Sequence, residues 1–450
     1  MKPSVPKGTR DFLPGQVLKR KYIFSVIESV FKSYGYLPIE TPAMENLSTL
    51  TGKYGEEGDR LLFKILNNGD FLSGADMQAI EACDSNKLLP SISKRGLRYD
   101  LTVPFARFVV MNLNDIQLPF KRYQIQQVWR GDRPQKGRYQ EFYQCDVDVV
   151  GSDSLMYEAE LAQIYALVFR KLGIKVKILI NNRKILFGLA EAAGITDKFM
   201  EMTIAIDKLD KIGQDGVISE MNHRGITIEQ ANHVLTLLKK TNIDDLKEAF
   251  DGLEQGTKGI EEIESVMNYL NGTLPELSFD ISLARGLNYY TGCIFEVKVD
   301  TTAYPGLTMG SIGGGGRYDN LTGVFGLNGV SGVGISFGAE RIYDVIQELN
   351  LFPDEVQKDI SVLFVALDDE SHKYAFGIVT ELRMAGISCD LYPEPAKMKK
   401  QMSYANARNV PFVAIIGDSE RDANKVSLKN MITGEQKDIN ISELPLIFND

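Results

Sequence analysis

The chain has 450 residues, enough for two or three domains that each bury a core of their own. Its 44% hydrophobic and 24% charged residues are ordinary for a soluble globular protein, and no apolar run is long enough to span a membrane. A net charge of −10 argues against nonspecific nucleic-acid binding, and the opening MKPSVPKGTRDFLPG lacks the apolar stretch of a signal peptide, so a cytoplasmic protein is expected.

Residues 2 to about 15 are Pro/Gly-rich and read as an ordered arm. A helix is expected near Leu18 to Ser33, with Tyr22, Ile23, Val26, Ile27, Val30 and Phe31 at helical spacing and a stop at Gly35. GYLPIETPAMEN then reads as a strand broken by Pro42. LRYDLTVPFARF places Asp100 and Thr102 on one strand face, with Pro104 in the first turn of a following helix. This pair can accept hydrogen bonds from an ammonium group, or it can cap the helix.

Residues 120 to 150 read as two strands joined by a polar loop. Tyr123, Ile125, Gln127 and Trp129 share one face of the first strand, and Gln124, Gln126, Val128 and Arg130 the other. On the second strand Tyr143, Cys145, Val147 and Val149 point one way, and Phe142, Gln144, Asp146 and Asp148 the other. The pattern is that of an antiparallel sheet with one covered apolar face and one uncovered face rich in chemistry. Gln144 and Asp148 lie four apart, so both point into one cleft. Gln144 can accept from an ammonium or position a carboxylate, and Asp148 can accept from an imidazole N–H. Between Lys121 and Arg138 stand six cations (Lys121, Arg122, Arg130, Arg133, Lys136, Arg138) and one anion (Asp132), a pattern suited to a selective phosphate binder.

About Lys184 to Val266 is helical in pattern and reads as an insertion between sheet-forming regions. RGLNYYTGCIFE (Arg285 to Glu296) sets a cation beside Tyr289 and Tyr290 and leads into a strand, Cys293 to Val299. A fixed cation next to two rings suits a small ligand that is anionic at one end and a flat ring at the other. In SIGGGGRYDNL (Ser311 to Leu321) the glycine run is no Walker A loop, because Arg317 and Tyr318 follow it. Its bare backbone lets a ligand come close. GVGISFGAERI (Gly332 to Ile342) is a strand feeding a helix to about Leu349. Arg341 in the first turn opposes the helix dipole and calls for an anionic partner. After a linker at 351–358, alternating strands and helices from Asp359 predict a small three-layer α/β domain.

The cysteines (Cys83, Cys145, Cys293, Cys389) are far apart in sequence, with no C-x-x-C. The histidines (His223, His233, His372) lie away from these segments and read as solvated helix residues. A zinc site, a disulfide framework and a Ser-His-Asp triad are therefore not expected.

The segments Trp129 to Val149, Arg285 to Glu296 and Ser311 to Leu321 resemble the signatures of histidyl-tRNA synthetase, a class II aminoacyl-tRNA synthetase. The resemblance covers nearly the whole chain. Residues 18–46 resemble motif 1, the dimer element, Arg130 to Glu141 motif 2, and Gly332 to Ile342 motif 3. The implied fold is α+β: a class II antiparallel sheet flanked by helices, in two parts (1–183 and 267–350), with a helical insertion (184–266) and an anticodon-binding α/β domain (359–450). The implied activity is histidine–tRNA ligation from L-histidine, ATP with Mg²⁺, and histidine tRNA, by a homodimer. Asp100 and Thr102 would hold the amino group of histidine, with Arg130, Gln144, Asp148, Arg285, Tyr289 and Tyr290 completing the histidine site. Arg130, Asp132, Arg138, Tyr139, Phe142 and Arg341 would bind ATP, with Phe142 stacked on adenine and Arg130 on the α-phosphate. Arg133, Lys136 and Arg138 would face phosphates or the acceptor end of the tRNA. Arg285, Arg130 and Gln144 would act in the chemical step, with Arg285 supplying charge that other class II enzymes draw from a metal ion. No resident metal is implied. Lys397, Lys399, Lys400 and Arg408 would contact tRNA phosphates. Asn288 departs from the usual aspartate, while Asp100 and Asp148 stand where many bacterial members carry glutamate, as in the eukaryote-like branch. The rival reading is a non-catalytic regulatory subunit that senses histidine. Such paralogues tend to lose the ATP-site arginines or the C-terminal domain, both present here.

Overall fold

Pro14 opens the first long helix, α1 (Pro14–Ser33), ahead of the expected start at Leu18. A proline lacks an amide hydrogen, and the first turn leaves that hydrogen unpaired in any residue. The Gln16 side chain accepts the Leu13 amide at 2.9 Å and completes the start. Gly35, at φ +79°, turns the chain out of the helix as expected. The computed structural model describes residues 2–135, 137–240, 242–284, 289–357 and 360–448. Two units divide the chain, Met1–Leu351 and Phe352–Asp450.

The first unit is built on eight strands: β1 (Leu37–Pro38), β2 (Phe120–Trp129), β3 (Glu141–Val150), β4 (Val176–Asn182), β5 (Leu277–Phe279), β6 (Cys293–Val299), β7 (Gly313–Arg317) and β8 (Gly332–Gly338). They lie in the order β1-β2-β3-β8-β7-β6-β4-β5. All pairings are antiparallel except the two at the edges, β1 with β2 and β4 with β5. Helices α2 (Thr102–Met111), α3 (Met156–Lys171), α4 (Arg183–Ala192), α5 (Glu254–Leu270) and α6 (Ala339–Glu348) surround it. Further helices, including Leu209–His223 and Ile228–Leu238, lie between α4 and α5 and belong to the same unit. His223 and His233 are exposed there.

One sheet face is the core. Phe337 of β8 meets Phe31 of α1 and Tyr165 and Phe169 of α3, with ring centroids 5.8, 4.8 and 5.6 Å away. Aromatic clusters of this kind contribute beyond their buried area, about 0.5–1.5 kcal/mol per pair. The other face carries two rows of cross-strand neighbours. One runs Glu296, Gly314, Ser336, Asp146, Gln124, and the next runs Ile294, Gly316, Gly334, Asp148, Arg122. The expected alternation on β2 and β3 holds, but this polar face is not uncovered: Arg122, Gln124, Asp146 and Asp148 are all buried. Phe105 of α2 lies over the Arg122 guanidinium at 4.2 Å.

Asp100 and Thr102 do not share a strand face. The strand before them ends at Leu97, Thr102 opens α2, and Asp100 lies in the turn between. Proline at 104 suits that early helix start. Of the two roles left open for the pair, Asp100 does support the helix, since Oδ1 accepts the Val103 amide at 3.1 Å.

The second unit has strands β9 (Val362–Ala366), β10 (Cys389–Leu391), β11 (Phe412–Ile416), β12 (Lys425–Asn430) and β13 (Gln436–Asn440), in the order β10-β9-β11-β12-β13. Helices α7 (Asp369–Met384) and α8 (Met398–Ala407) cover its faces. Val362 and Phe364 pack with Ile378, Val379 and Leu382 on one side, and Leu363 and Val365 with Tyr392 and Ala405 on the other. This makes the three layers expected from the alternating pattern. His372 is not simply solvated: its Nε2 meets the Tyr392 carbonyl oxygen at 2.9 Å.

The glycines on the polar sheet face differ in what a side chain would meet. A Cβ at Gly334 would overlap the Asp148 carboxylate, whereas at Gly314 it would meet only the Phe295 carbonyl oxygen at 3.4 Å. Overpacking a buried site costs about 1–3 kcal/mol. Gly334→Ala should therefore lower the melting temperature by several degrees, and Gly314→Ala should leave it near the parent value. Equal melting temperatures for the two variants would contradict this reading of the sheet face.

Candidate active site

The polar sheet face floors a cleft of about 370 Å³. Asp100, Thr102, Arg130, Asp132, Arg138, Tyr139, Phe142, Gln144, Asp148, Tyr289, Tyr290 and Arg341 all line it. Residues from four separate stretches of sequence thus converge on one cavity, and Gly313 to Gly315 add a fifth. Arg285 and Asn288, singled out from the sequence, and Lys136 lie outside the described residues. Arg133 is exposed and is not among the residues that line the cleft.

One end of the cleft is acidic. Asp148 is held between the Arg122 guanidinium, 2.8 Å from Oδ2, and the Tyr318 hydroxyl, which donates to Oδ1 at 2.6 Å. Asp100 accepts from the Tyr54 hydroxyl at 3.0 Å and the Tyr289 hydroxyl at 3.2 Å. Tyr289 and Tyr290 meet edge to face, with centroids 5.1 Å apart. Burial pushes the Asp100 and Asp148 carboxyls up from the ordinary aspartate value, opposed at Asp100 by the Val103 amide and at Asp148 by Arg122. Two residues before Asp148 on β3 stands Asp146, an acid that the sequence placed on this face without a role. Burial pushes Asp146 up to about 7, against the pull of Arg122 and with a further push from Asp148. Asp146 and Asp148 thus share the field of the fully buried Arg122, while Asp100 lies in that of Arg130.

The other end is basic and aromatic. Arg130 follows β2 directly, its Nε donating to the Tyr99 carbonyl at 3.0 Å and its Nη2 to Gln144 Oε1 at 3.4 Å. Its guanidinium lies 4.3 Å from the Tyr99 ring and 5.2 Å from the Phe142 ring. Arg138 pairs with Asp132 at 3.0 Å. Tyr139 accepts a hydrogen bond from Arg10 of the N-terminal arm at 2.9 Å. Arg341, in the first turn of α6, donates to the carbonyls of Gly137 and Ser311 at 2.9 and 2.6 Å, so it ties the β2–β3 loop to the glycine segment. Its neighbour Glu340 pairs with Arg20 of α1 at 2.6 Å and accepts the Tyr143 amide.

Sequence reasoning passed over Ser336 and Glu296, both on the cleft wall. Ser336 accepts from Gln144 Nε2 at 3.0 Å, and Glu296 accepts from the Ser311 hydroxyl. The alternation of the strands that carry them held the signal, because each falls on the same face as Gly314 once the register is known. Among the described residues no three His, Cys, Asp or Glu side chains gather as a metal site, and all four cysteines are free.

The sheet is mostly antiparallel, and the cleft on its polar face is lined by one arginine at the end of a strand (Arg130) and another in the helix after the last strand (Arg341), as the resemblance to class II motifs 2 and 3 implies. Residues 8–342 match the family model for histidyl-tRNA synthetase, and residues 359–449 match an anticodon binding domain. Histidine–tRNA ligase of Bacteroides fragilis is 54% identical over 450 residues, covering 98% of each chain. That of Porphyromonas gingivalis is 55% identical, covering 97% of this chain and 96% of its own. The crystal structure of histidyl-tRNA synthetase from Nostoc sp. PCC 7120 superposes with a TM-score of 0.82 at 29% identity, over 100% of this chain and 99% of that one. An ATP phosphoribosyltransferase regulatory subunit/histidyl-tRNA synthetase from Bacillus halodurans C shares the fold alone, at a TM-score of 0.68 and 19% identity. The chain belongs to the histidyl-tRNA synthetase family.

The raised Asp146 carboxyl gives stability a definite pH dependence. A group with a raised folded pKa favours folding fully below its unfolded value, and that contribution is lost as pH rises through the folded value. For Asp146 the window runs from 3.8 to about 7. Asp146→Asn removes the titration, so between about pH 5 and pH 8 its melting temperature should fall less than that of the parent. Parallel melting curves across that range would show that Asp146 ionises like an exposed acid.

Proposed function

We propose that this protein activates L-histidine with ATP, forming histidyl-adenylate and pyrophosphate, and then transfers the histidyl group to the 3′ end of histidine tRNA. The observation that carries this reading is the polarity of the cleft. Three buried carboxyls at one end await a ligand with positive charge and N–H donors, while Arg130, Arg138 and Arg341 at the other suit a polyphosphate. Histidine offers an ammonium for Asp100 and an imidazole N–H for Asp148. A site that hydrogen-bonds both groups rejects amino acids lacking either.

In the first step the histidine carboxylate attacks the α-phosphorus and pyrophosphate leaves. Negative charge grows on the α-phosphate oxygens, and Arg130 and Arg285 stabilise it there. Gln144 holds the ammonium end through its carbonyl oxygen, and Phe142 stacks on adenine. In the second step the terminal adenosine hydroxyl of the tRNA attacks the activated carbonyl, releasing AMP. Mg²⁺ arrives with ATP. Such an ion keeps several waters and substrate oxygens as ligands, so it needs no protein cage. When bound, it would neutralise phosphate charge.

The unit from Phe352 onward reads the anticodon, with the exposed Lys397, Lys399 and Lys400, and with Arg408, as phosphate contacts. The enzyme is a cytoplasmic homodimer built on residues 18–46, where Leu37 and Met44 leave apolar side chains 61% and 50% exposed. No helix among the described residues is long and apolar enough to cross a membrane.

Exchange of labelled pyrophosphate into ATP tests the adenylation step. Exchange should depend on histidine, and Arg285→Ala should reduce it by about 10²–10³, the usual loss for one electrostatic contact to the developing charge. Near-parental exchange by that variant would remove Arg285 from the step. A chain ended at Leu351 should keep exchange while tRNA charging collapses. Normal charging by a folded fragment would mean that the second unit does not read the tRNA.

A further inference from the structure

We infer that Asp146, acting through Ser336, fixes which way the Gln144 carboxamide points, and that it is a positioning residue for the amino-acid end of the cleft. The inference rests on the reading of this cleft as the histidine site.

Asp146 and Ser336 are direct cross-strand partners on β3 and β8, and both line the cleft. Gln144 Nε2 donates to Ser336 Oγ at 3.0 Å, while Gln144 Oε1 faces Arg130 Nη2 at 3.4 Å. The serine hydroxyl, occupied as an acceptor, has one proton left to give. Beside it lies Asp146, whose Oδ1 is buried with no hydrogen-bond partner. An ionised carboxylate only accepts, so the chain can run in one direction: Gln144 N–H to Ser336, and Ser336 O–H to Asp146.

That direction forbids a flip of the amide. A flipped Gln144 would aim its NH₂ at the Arg130 guanidinium and at the incoming ammonium, two cations that need an acceptor. An asparagine at 146 has almost the same shape but can donate. It would let Ser336 turn its proton to the Gln144 oxygen and so permit the flip. The charged and titratable groups that act on Asp146 are Arg122, Asp148 and Asp100, and the Ser336 hydroxyl beside it draws its carboxyl down from the value that burial alone would set. Asp148, by contrast, lies opposite Gly334, which has no hydroxyl, and is held by Arg122 and Tyr318, so orienting Gln144 falls to the acid opposite Ser336.

The test is histidine-dependent pyrophosphate exchange by the full-length protein at pH 8, where Asp146 is mainly ionised, with KM for histidine and for ATP measured separately. Asp146→Asn and Ser336→Ala should each lower kcat/KM for histidine by about tenfold, the scale of one lost hydrogen bond to a charged group. The KM for ATP should change less than that for histidine, since Arg138 and Arg341 do not contact Gln144 and Arg130 keeps its hydrogen bond to the Tyr99 carbonyl. The double variant should be no worse than either single one, because both break the same chain. Ser336→Thr, which keeps the hydroxyl, should restore the parental value. Parental histidine kinetics in Asp146→Asn, or losses that multiply in the double variant, would overturn the inference. If Asp146→Asn fails to fold by its melting curve, Ser336→Ala and Ser336→Thr decide alone. Absence of histidine-dependent exchange in the parent protein would instead sink the reading of the cleft, and this inference with it.

Discussion

The ion pair between Arg122 and Asp148, 2.8 Å long and almost wholly out of water, is what the cleft is built around. A buried pair of this kind adds little net stability, but removing one partner costs about 3–5 kcal/mol because the other is left charged and unpaired. Several unrelated features follow from it. Phe105 of α2 covers the guanidinium. Tyr318 gives its hydroxyl to the acid. Position 334 has no side chain, because any would occupy the space of the carboxylate. The glycine at 334 is therefore the counterpart of an acid placed on the sheet face beside it.

Around this pair the charge does not balance among the described residues. Arg122 answers one carboxylate, while Asp100 and Asp146 are buried nearby and pushed toward their neutral forms. A ligand with an ammonium at one end and an N–H donor at the other relieves this tension. That is a physical basis for selectivity, since an amino acid with an apolar side chain would leave buried acceptors unpaired, at about 1–3 kcal/mol each. The arginine end is preorganised differently. Arg341 is braced by two carbonyls and Arg130 by one, so their forks are oriented before any phosphate arrives. Glu340, paired with Arg20, anchors the same helix to α1, so the element read as the dimer helix also supports the nucleotide end.

Much of this was legible in the residues. The strict alternation of β2 and β3 gave the polar face and its cleft, and the glycine run and the paired tyrosines marked its wall. Period-two patterns report which residues share a face, but not what covers that face. The acids were therefore read as open to solvent when α2 and Tyr318 in fact enclose them. Asp100 and Thr102 were assigned to a strand because their spacing fits one, yet Asp100 supports the first turn of α2, a local bond that competes with the strand. Ser336 and Asp146 could not be paired from sequence, since their contact depends on the register of β3 against β8.

Calorimetric titration with histidine analogues tests the charge argument most directly. L-histidinol keeps the ammonium and the imidazole but lacks the carboxylate. The deamino analogue, imidazolepropionate, keeps the carboxylate and the ring but lacks the ammonium. If the buried acids select the ligand, histidinol binds to the same site as histidine and the deamino analogue binds weaker than histidine by about tenfold or more, the scale of a lost charged hydrogen bond. A deamino analogue that binds as tightly as histidine, with histidinol failing to bind, would mean that the arginines and not the acids choose the amino acid.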